Sequence, residues 1–219
     1  MPTGRAPAAA PRRYAGRSAE ERDAERRSRL RETALHLFGT EGYAAVPVER
    51  LCTEAKVSTR HFYQLFSNKE DALLDVYADL TAESIGNVGT VLDETAGQPV
   101  EERLVAGFRA YIGPILADSR KARLAFVEIV GISPRVEERR LQFRNSIIAV
   151  FEFEMAAAVE RGELEPRDFR FLALSFLGAV NVVVHDWSLN PNHAAAESLQ
   201  EQLCGLAVEL FTGARSPSI

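Results

Sequence analysis

Residues 48–67 read VERLCTEAKVSTRHFYQLFS, and their spacing decides the fold. Apolar and small residues fall at Val48, Leu51, Cys52 and Ala55, then restart at Val57, Phe62, Leu65 and Phe66. That is the pattern of two short amphipathic helices meeting across a tight turn near Lys56, a helix-turn-helix. Ser58 stands where the second helix needs an N-cap, its hydroxyl able to accept from a free backbone N–H one turn on, so this helix begins at Thr59. With Phe62, Leu65 and Phe66 turned inward, the outward face presents Thr59, Arg60, His61, Tyr63 and Gln64, which can hydrogen-bond to base edges and phosphates.

Two helices of this length cannot bury a core alone, so the flanks must complete the unit. Upstream, Ser18 and Glu21 form a capping box, and a run without Gly or Pro carries Leu30, Ala34, Leu37 and Phe38 at helical spacing. Gly42 is suited to close that helix in a left-handed cap. Downstream, Ser67 and Glu70 read as a second capping box, opening a helix that continues through Leu73, Leu74, Val76, Tyr77, Leu80 and Ile85 towards Leu92.

Gly42, Tyr43, Val48, Leu51, Ala55, Val57, Ser58, Phe62, Tyr63, Phe66, Lys69 and Glu70 closely resemble the N-terminal DNA-binding domain of TetR-family transcriptional regulators. The resemblance covers about a quarter of the chain. Its Tyr-x-x-Phe-x-x-Lys-Glu ending is not shared by helix-turn-helix proteins in general. It implies a double-stranded DNA operator as partner and a dimer that places two reading helices in the major groove. Lys69 is expected to contact a phosphate, and so is Tyr63, whose phenol sits at the edge of the reading face. Val46 and Pro47 stand where the family commonly has Thr, and Lys56 where it often has Gly. A Lys in a turn that favours positive φ costs on the order of 1 kcal/mol, or adds a phosphate contact.

The chain has 219 residues, 46% hydrophobic and 26% charged, ordinary values for a globular protein. Its net charge of -5 is unevenly placed: up to Lys69 there are 13 Lys and Arg against 8 Asp and Glu, and beyond it 13 against 23. A basic head on an acidic body suits local phosphate contact. Residues 1–17, rich in Pro, Ala and Arg, are expected to be a disordered tail whose Arg5, Arg12, Arg13 and Arg17 are available to phosphates or the minor groove. Cys52 and Cys204 read as buried thiols of a reducing compartment. With no signal peptide and no apolar run of about 18 residues, the expected setting is the cytoplasm, without a membrane. A Gly-rich phosphate loop, metal-spaced Cys and His, and a Gly-x-Ser-x-Gly nucleophile motif are all missing, so neither catalysis nor a cofactor is expected.

From residue 99 onward the pattern is helical, with breaks at Gly113-Pro114, Ser133-Pro134, residues 162–166, Asn190-Pro191 and Gly213. The fold class is therefore all-α. A three-helix helix-turn-helix domain (residues 18–67) is followed by a connecting helix (68–96), a helical ligand-binding and dimerisation domain (97–213) and a short tail (214–219). The run FVEIVGISPRVEERR also looks like the regulatory domain of some TetR-type proteins. Residues 171–184, FLALSFLGAVNVVV, are apolar nearly all round and need covering on two sides. Phe176, Val180 and Val184 with Leu199, Leu203, Leu206 and Leu210 are the expected seam of a homodimeric four-helix bundle. The other arrangement has these faces cover one another within one chain.

Large aromatic residues around a few polar ones also build cavities between helices. The expected lining is Phe108, Tyr111, Phe126, Phe143, Asn181 and Trp187, offering few charges and suiting a small hydrophobic or amphipathic effector. The polar candidates for such a cavity are Glu128, within AFVEIVGI, Arg144, Asn145, Asn181 and the pair His185-Asp186. Glu128 needs a partner: an Arg such as Arg109 or Arg144 is expected to supply it, the alternative being contact with the ligand. The resulting expectation is a dimeric repressor released by that effector. The alternative is a DNA-binding regulator with a filled core, controlled by abundance or a protein partner.

Overall fold

A computed structural model describes residues 18–190 and 194–213 of the chain. The expected basic arm and C-terminal tail lie outside the described residues. Those described form an all-α protein whose first four helices are α1 (Ala19–Glu41), α2 (Val48–Ala55), α3 (Thr59–Leu65) and α4 (Lys69–Glu94). Then come α5 (Val100–Leu116), α6 (Ser119–Arg123), a π-helical turn (Leu124–Glu128), α7 (Pro134–Glu160), α8 (Phe169–Leu189) and α9 (Ala196–Thr212).

The helix ends follow local chemistry. Ser18 caps α1 in the expected box, its Oγ accepting from Glu21 N at 3.0 Å while Ser18 N donates to the Glu21 carboxylate at 2.7 Å. Ser58 caps α3. The cap of α4, however, is Asn68, whose Oδ1 accepts from Asp71 N at 2.9 Å; Ser67 instead donates its N–H to the Asp71 carboxylate. Two cap-competent residues stand side by side, and the pair Asn68 and Asp71 wins over Ser67 and Glu70. The break expected at Gly113-Pro114 is not there either, since α5 runs through Pro114. The helix ends two residues later, so only its last turn must accommodate the ring.

Two cores form. The head core gathers Leu30, Leu37 and Phe38 of α1, Leu51 of α2, Phe62 of α3 and Leu73 of α4, and is completed from far along the chain by Leu124, Ile129 and Val136. The π-helical turn and the start of α7 are thus part of the head's packing, although they follow it by more than fifty residues. The body core is built from α5, α7, α8 and α9 around Phe108, Phe176 and Phe211. Phe176 packs edge-on to Phe108 at 4.9 Å between ring centroids, and Phe151 stacks on Phe211 at 5.0 Å.

Candidate nucleic-acid interface and effector cavity

In the head, α3 is held by Phe62, which is fully buried, and by Phe66 just beyond its end. That anchoring leaves Thr59, Arg60, Tyr63 and Gln64 exposed along one side. His61 is half-buried and its Nδ1 lies 2.9 Å from the Ser58 hydroxyl, so its ring belongs first to the cap. The turn before α3 is made by Lys56 at φ 53 and ψ 44, the left-handed conformation that the sequence flagged as costly.

Lys69 has a different place from the one expected. Its ammonium donates to the carbonyls of Tyr43 at 2.8 Å and Val46 at 3.0 Å, and lies 4.2 Å from the centre of the Tyr43 ring. Desolvation lowers its pKa. Two of its three donors are used to tie the start of α4 to the α1–α2 loop, so Lys69 positions the reading helix rather than standing free for a phosphate.

Behind α4 lies a cavity of about 240 Å³ among α4, α5, the π-helical turn, α7 and α8. It brings together Tyr111, Phe126, Phe143 and Asn181, four of the six residues expected there. Phe108 and Tyr111 also wall a narrower apolar chamber of about 40 Å³ between α4, α5 and α7. Trp187 lines neither: it sits near the end of α8, where its indole N–H donates to the Ala194 carbonyl at 2.9 Å. Nor is the larger cavity poor in charge. Glu137, Arg140 and Arg144 line it, all on α7. Arg140 is paired with Glu137 at 2.6 Å, whereas Arg144 is exposed and has no ion pair or hydrogen bond among the described residues. Asn181 donates to the Leu177 carbonyl one turn back, which satisfies its amide without filling the space. Burial pushes the phenol of Tyr77 up to about 12 and raises that of Tyr111 as well.

The cavity and the head meet in the π-helical turn. Phe126 lines the cavity, while Leu124 and Ile129 are fully buried in the head core. Glu128 accepts from the backbone N–H of Tyr43 at 2.8 Å and from Arg123 at 3.0 Å, and Arg123 donates onward to the Thr40 carbonyl at 2.9 Å. Arg109, expected as a partner of Glu128, is bonded to Glu201 instead. Close approach at this joint requires glycine. A Cβ on Gly39 would fall 2.6 Å from the Arg120 Cβ, and one on Gly42 would fall 3.2 Å from the Glu128 carboxylate. Gly42 has φ 95 and ψ 145, well outside the left-handed helical cap read from the sequence and in a region open essentially to glycine alone.

Residues 30–76 match the family model described as bacterial regulatory proteins of the tetR family, and residues 97–209 match the tetracyclin repressor-like C-terminal domain. The chain belongs to the TetR family. It is a DNA-binding transcriptional regulator. The uncharacterized HTH-type transcriptional regulator YerO of Bacillus subtilis is 26% identical over 173 residues, 76% of this chain and 58% of that protein, so the match spans little more than half of that relative. The fatty acid metabolism regulator protein of the same organism is 18% identical over 178 residues, 81% of this chain and 91% of that one. The fold is shared with the transcriptional regulator FadR of Bacillus subtilis in complex with stearoyl-CoA, with a TM-score of 0.76 at 17% identity, covering 86% of this chain and 99% of that one.

In this TetR-family body the expected dimer residues lie inward. Phe176, Val180 and Val184 are fully buried within one chain, and Leu199 and Leu203 are nearly so. Only Leu206, 38% exposed, and the half-buried Leu210 reach the surface. The opposite side of α8 is the open one, a stripe through Phe171, Ser175, Gly178, Val182, His185 and Leu189. Phe171 is 64% and Val182 71% exposed. An α-helix apolar all round does not announce which side its own chain will cover, and α8 is apolar and long enough to cross a bilayer by composition alone. Nothing in the local pattern marks the π-helical turn, since what matters there is contact across more than eighty positions, Glu128 with Tyr43 and Arg123 with Thr40.

Proposed function

We propose that this regulator is a homodimeric repressor released from its operator by an amphipathic small molecule held in the 240 Å³ cavity. The observation that carries the reading is one short turn that touches both places: Phe126 in the cavity wall, Glu128 on the Tyr43 amide of the head. A ligand that moves Phe126 must move or strain the joint that fixes the end of α1, and hence the spacing of two reading helices. An aromatic wall with a free arginine suits a molecule with an apolar chain and an anionic group. The FadR complex with stearoyl-CoA lends that chemistry support by likeness of fold. To carry the protein from 1:99 to 99:1 between its two forms, the ligand needs about 5.5 kcal/mol of preference for the released one.

Dimerisation would use the outer stripe of α8 with Gly205 and Leu206 of α9. Gly178 and Gly205 have nothing within 4 Å of where a Cβ would stand, leaving room for a partner helix to approach closely. DNA contact falls to Arg60, Thr59, Tyr63 and Gln64, with His61 secondary. The test is anisotropy of labelled DNA from upstream of the regulator's own gene, with and without long-chain acyl-CoA and free fatty acid. An anisotropy rise that the amphiphile reverses is the expected result, and Arg60→Ala should weaken the specific site by about 1–3 kcal/mol. DNA binding indifferent to every amphiphile would return the reading to control by abundance.

A further inference from the structure

The two chambers of the body share a wall. Tyr111 and Ile147 line both, the larger with polar groups and the smaller almost without them. Tyr111 is 7% and Tyr77 8% exposed, yet neither phenol donates to or accepts from any described residue. No buried side-chain oxygen or nitrogen among the described residues is left without a partner, so both hydroxyls keep some accessible surface; both residues line the larger cavity, and Tyr77 also borders a groove between α1, α4 and α7. Arg140 and Arg144 line the same cavity. A phenol that is nine-tenths buried, with its hydroxyl accessible and bonded to no other residue, can offer that hydroxyl to an occupant of the cavity.

Beyond the shared wall, the 40 Å³ chamber is bounded by Val88, Leu92, Leu104, Val150 and Met155. It has roughly three times the space that one water needs, but hardly any polar atoms to hold one. Its far side carries a charged pair already closed on itself. Arg103 donates to Glu154 at 2.5 Å and to the Leu92 carbonyl at 2.9 Å. A slender chain fits such a slot, and a ring or a charged group does not.

Building on the effector reading above, we propose that Tyr111 is the residue that orients and measures the ligand. The ligand is a straight-chain acyl compound whose carbonyl accepts from the Tyr111 and Tyr77 hydroxyls, whose anionic end lies towards Arg144, and whose hydrocarbon tail passes Ile147 into the slot. Each methylene that enters the slot tightens binding about fourfold, until the slot is full.

The experiment is calorimetric titration of the full-length protein with saturated fatty acids of increasing length, and in parallel with their CoA thioesters. The wild type should tighten stepwise and then level off. Val150→Phe, which fills the slot away from the phenols, should leave the shortest ligands unchanged and level off several carbons earlier. Tyr111→Phe should weaken every length by the same factor, about two- to tenfold, with the per-methylene step intact, a pattern that general loosening of the core would not give. Binding by the acids alone or the thioesters alone identifies the source of the acyl group, and either supports the assignment. A levelling-off point unmoved in Val150→Phe, or Tyr111→Phe equal to wild type at all lengths, overturns it. Acyl binding with the expected length pattern but no operator release would sink the effector reading and leave this one standing; release without the pattern does the reverse.

Discussion

The head and the body are both all-helical and use similar residues, yet the core around α3 is filled while the body keeps chambers. Around α3 the large side chains Phe38, Leu51, Phe62 and Leu73 are fully buried against one another. Around Tyr111 comparable aromatics leave two chambers, two phenols without partners and a free arginine. A reading helix has to hold its geometry, because a base contact is lost with a small displacement. A receiving domain needs two arrangements of similar free energy, and unfilled space keeps the empty one from being too stable. The difference is therefore one of packing, not of secondary structure or composition.

The largest test compares one phenylalanine from each region. Phe62→Ala should cost about 3–5 kcal/mol, the range for a buried aromatic whose loss leaves a cavity. Phe143→Ala should cost half of that or less, because Phe143 is only half-buried and already borders the 240 Å³ cavity. Denaturant midpoints of the two variants measure this, and equal losses would mean that the body is as tightly packed as the head. Next in size is the joint between them. Glu128→Gln keeps the shape but gives up the charge that holds the Tyr43 amide and Arg123, at a cost of about 1.5–3 kcal/mol. If the joint transmits the signal, this variant should bind acyl ligands as before while needing much more of them to leave DNA. Unchanged coupling would move transmission to another contact, such as Arg135 with Asp71 at 2.5 Å.

The head was the more legible region for the same physical reason. Its helices are short and one-sided, so Leu51, Phe62 and Phe66 can only face inward, and the caps at Ser18 and Ser58 stand where their spacing says. In the body, α8 offers two phenylalanines, Phe171 and Phe176, and only the tertiary packing decides that the first is exposed and the second buried. Tyr111, Phe126, Phe143 and Asn181 were identifiable as large or polar groups on neighbouring helices. Trp187 failed by position, sitting near the end of its helix away from the cavity. Arg144, a polar candidate for the cavity from sequence, does line it, whereas Asn145 and His185, candidates on the same grounds, do not. The pairing of Glu128 was read correctly in kind and wrongly in partner, since Arg123 is only five residues away but reaches it through a turn with no sequence signature.

Acid should separate the regions too. Burial by itself would raise the Asp75 carboxyl, but hydrogen bonds from Arg27 and Arg31 overcome this and hold it below the usual carboxylate range. A carboxylate depressed in the folded state contributes stability above its unfolded pKa, and that contribution is lost as pH falls through the folded value. Because Asp75 fastens α4 to α1, the loss belongs to the head. The amides of α1 should therefore gain exchange relative to those of α8 as pH falls below about 4. In Asp75→Asn this extra acid sensitivity of α1 should disappear, and its persistence would assign the effect to other carboxylates.

The smallest effect sits at the sharpest turn in the head. Lys56 is the one non-glycine residue with positive φ among the described residues, at φ 53, and its side chain is exposed. Relief of strain predicts that Lys56→Gly gains about 0.5–1 kcal/mol, less than the full left-handed penalty because glycine also loses more entropy on folding. For a chain of this size that is roughly 1–4 °C in melting temperature. Lys56→Ala keeps the Cβ and the strain, and should gain nothing. The two variants share the loss of charge, so a phosphate contact would show as equal weakening of DNA binding in both, with the salt slope reduced by about 1. Stabilisation in Gly alone with unchanged DNA binding makes Lys56 a tolerated misfit in the turn. Equal loss of DNA binding in Gly and Ala makes it a contact that justifies its strain, and would extend the reading face from α3 back into the turn that aims it.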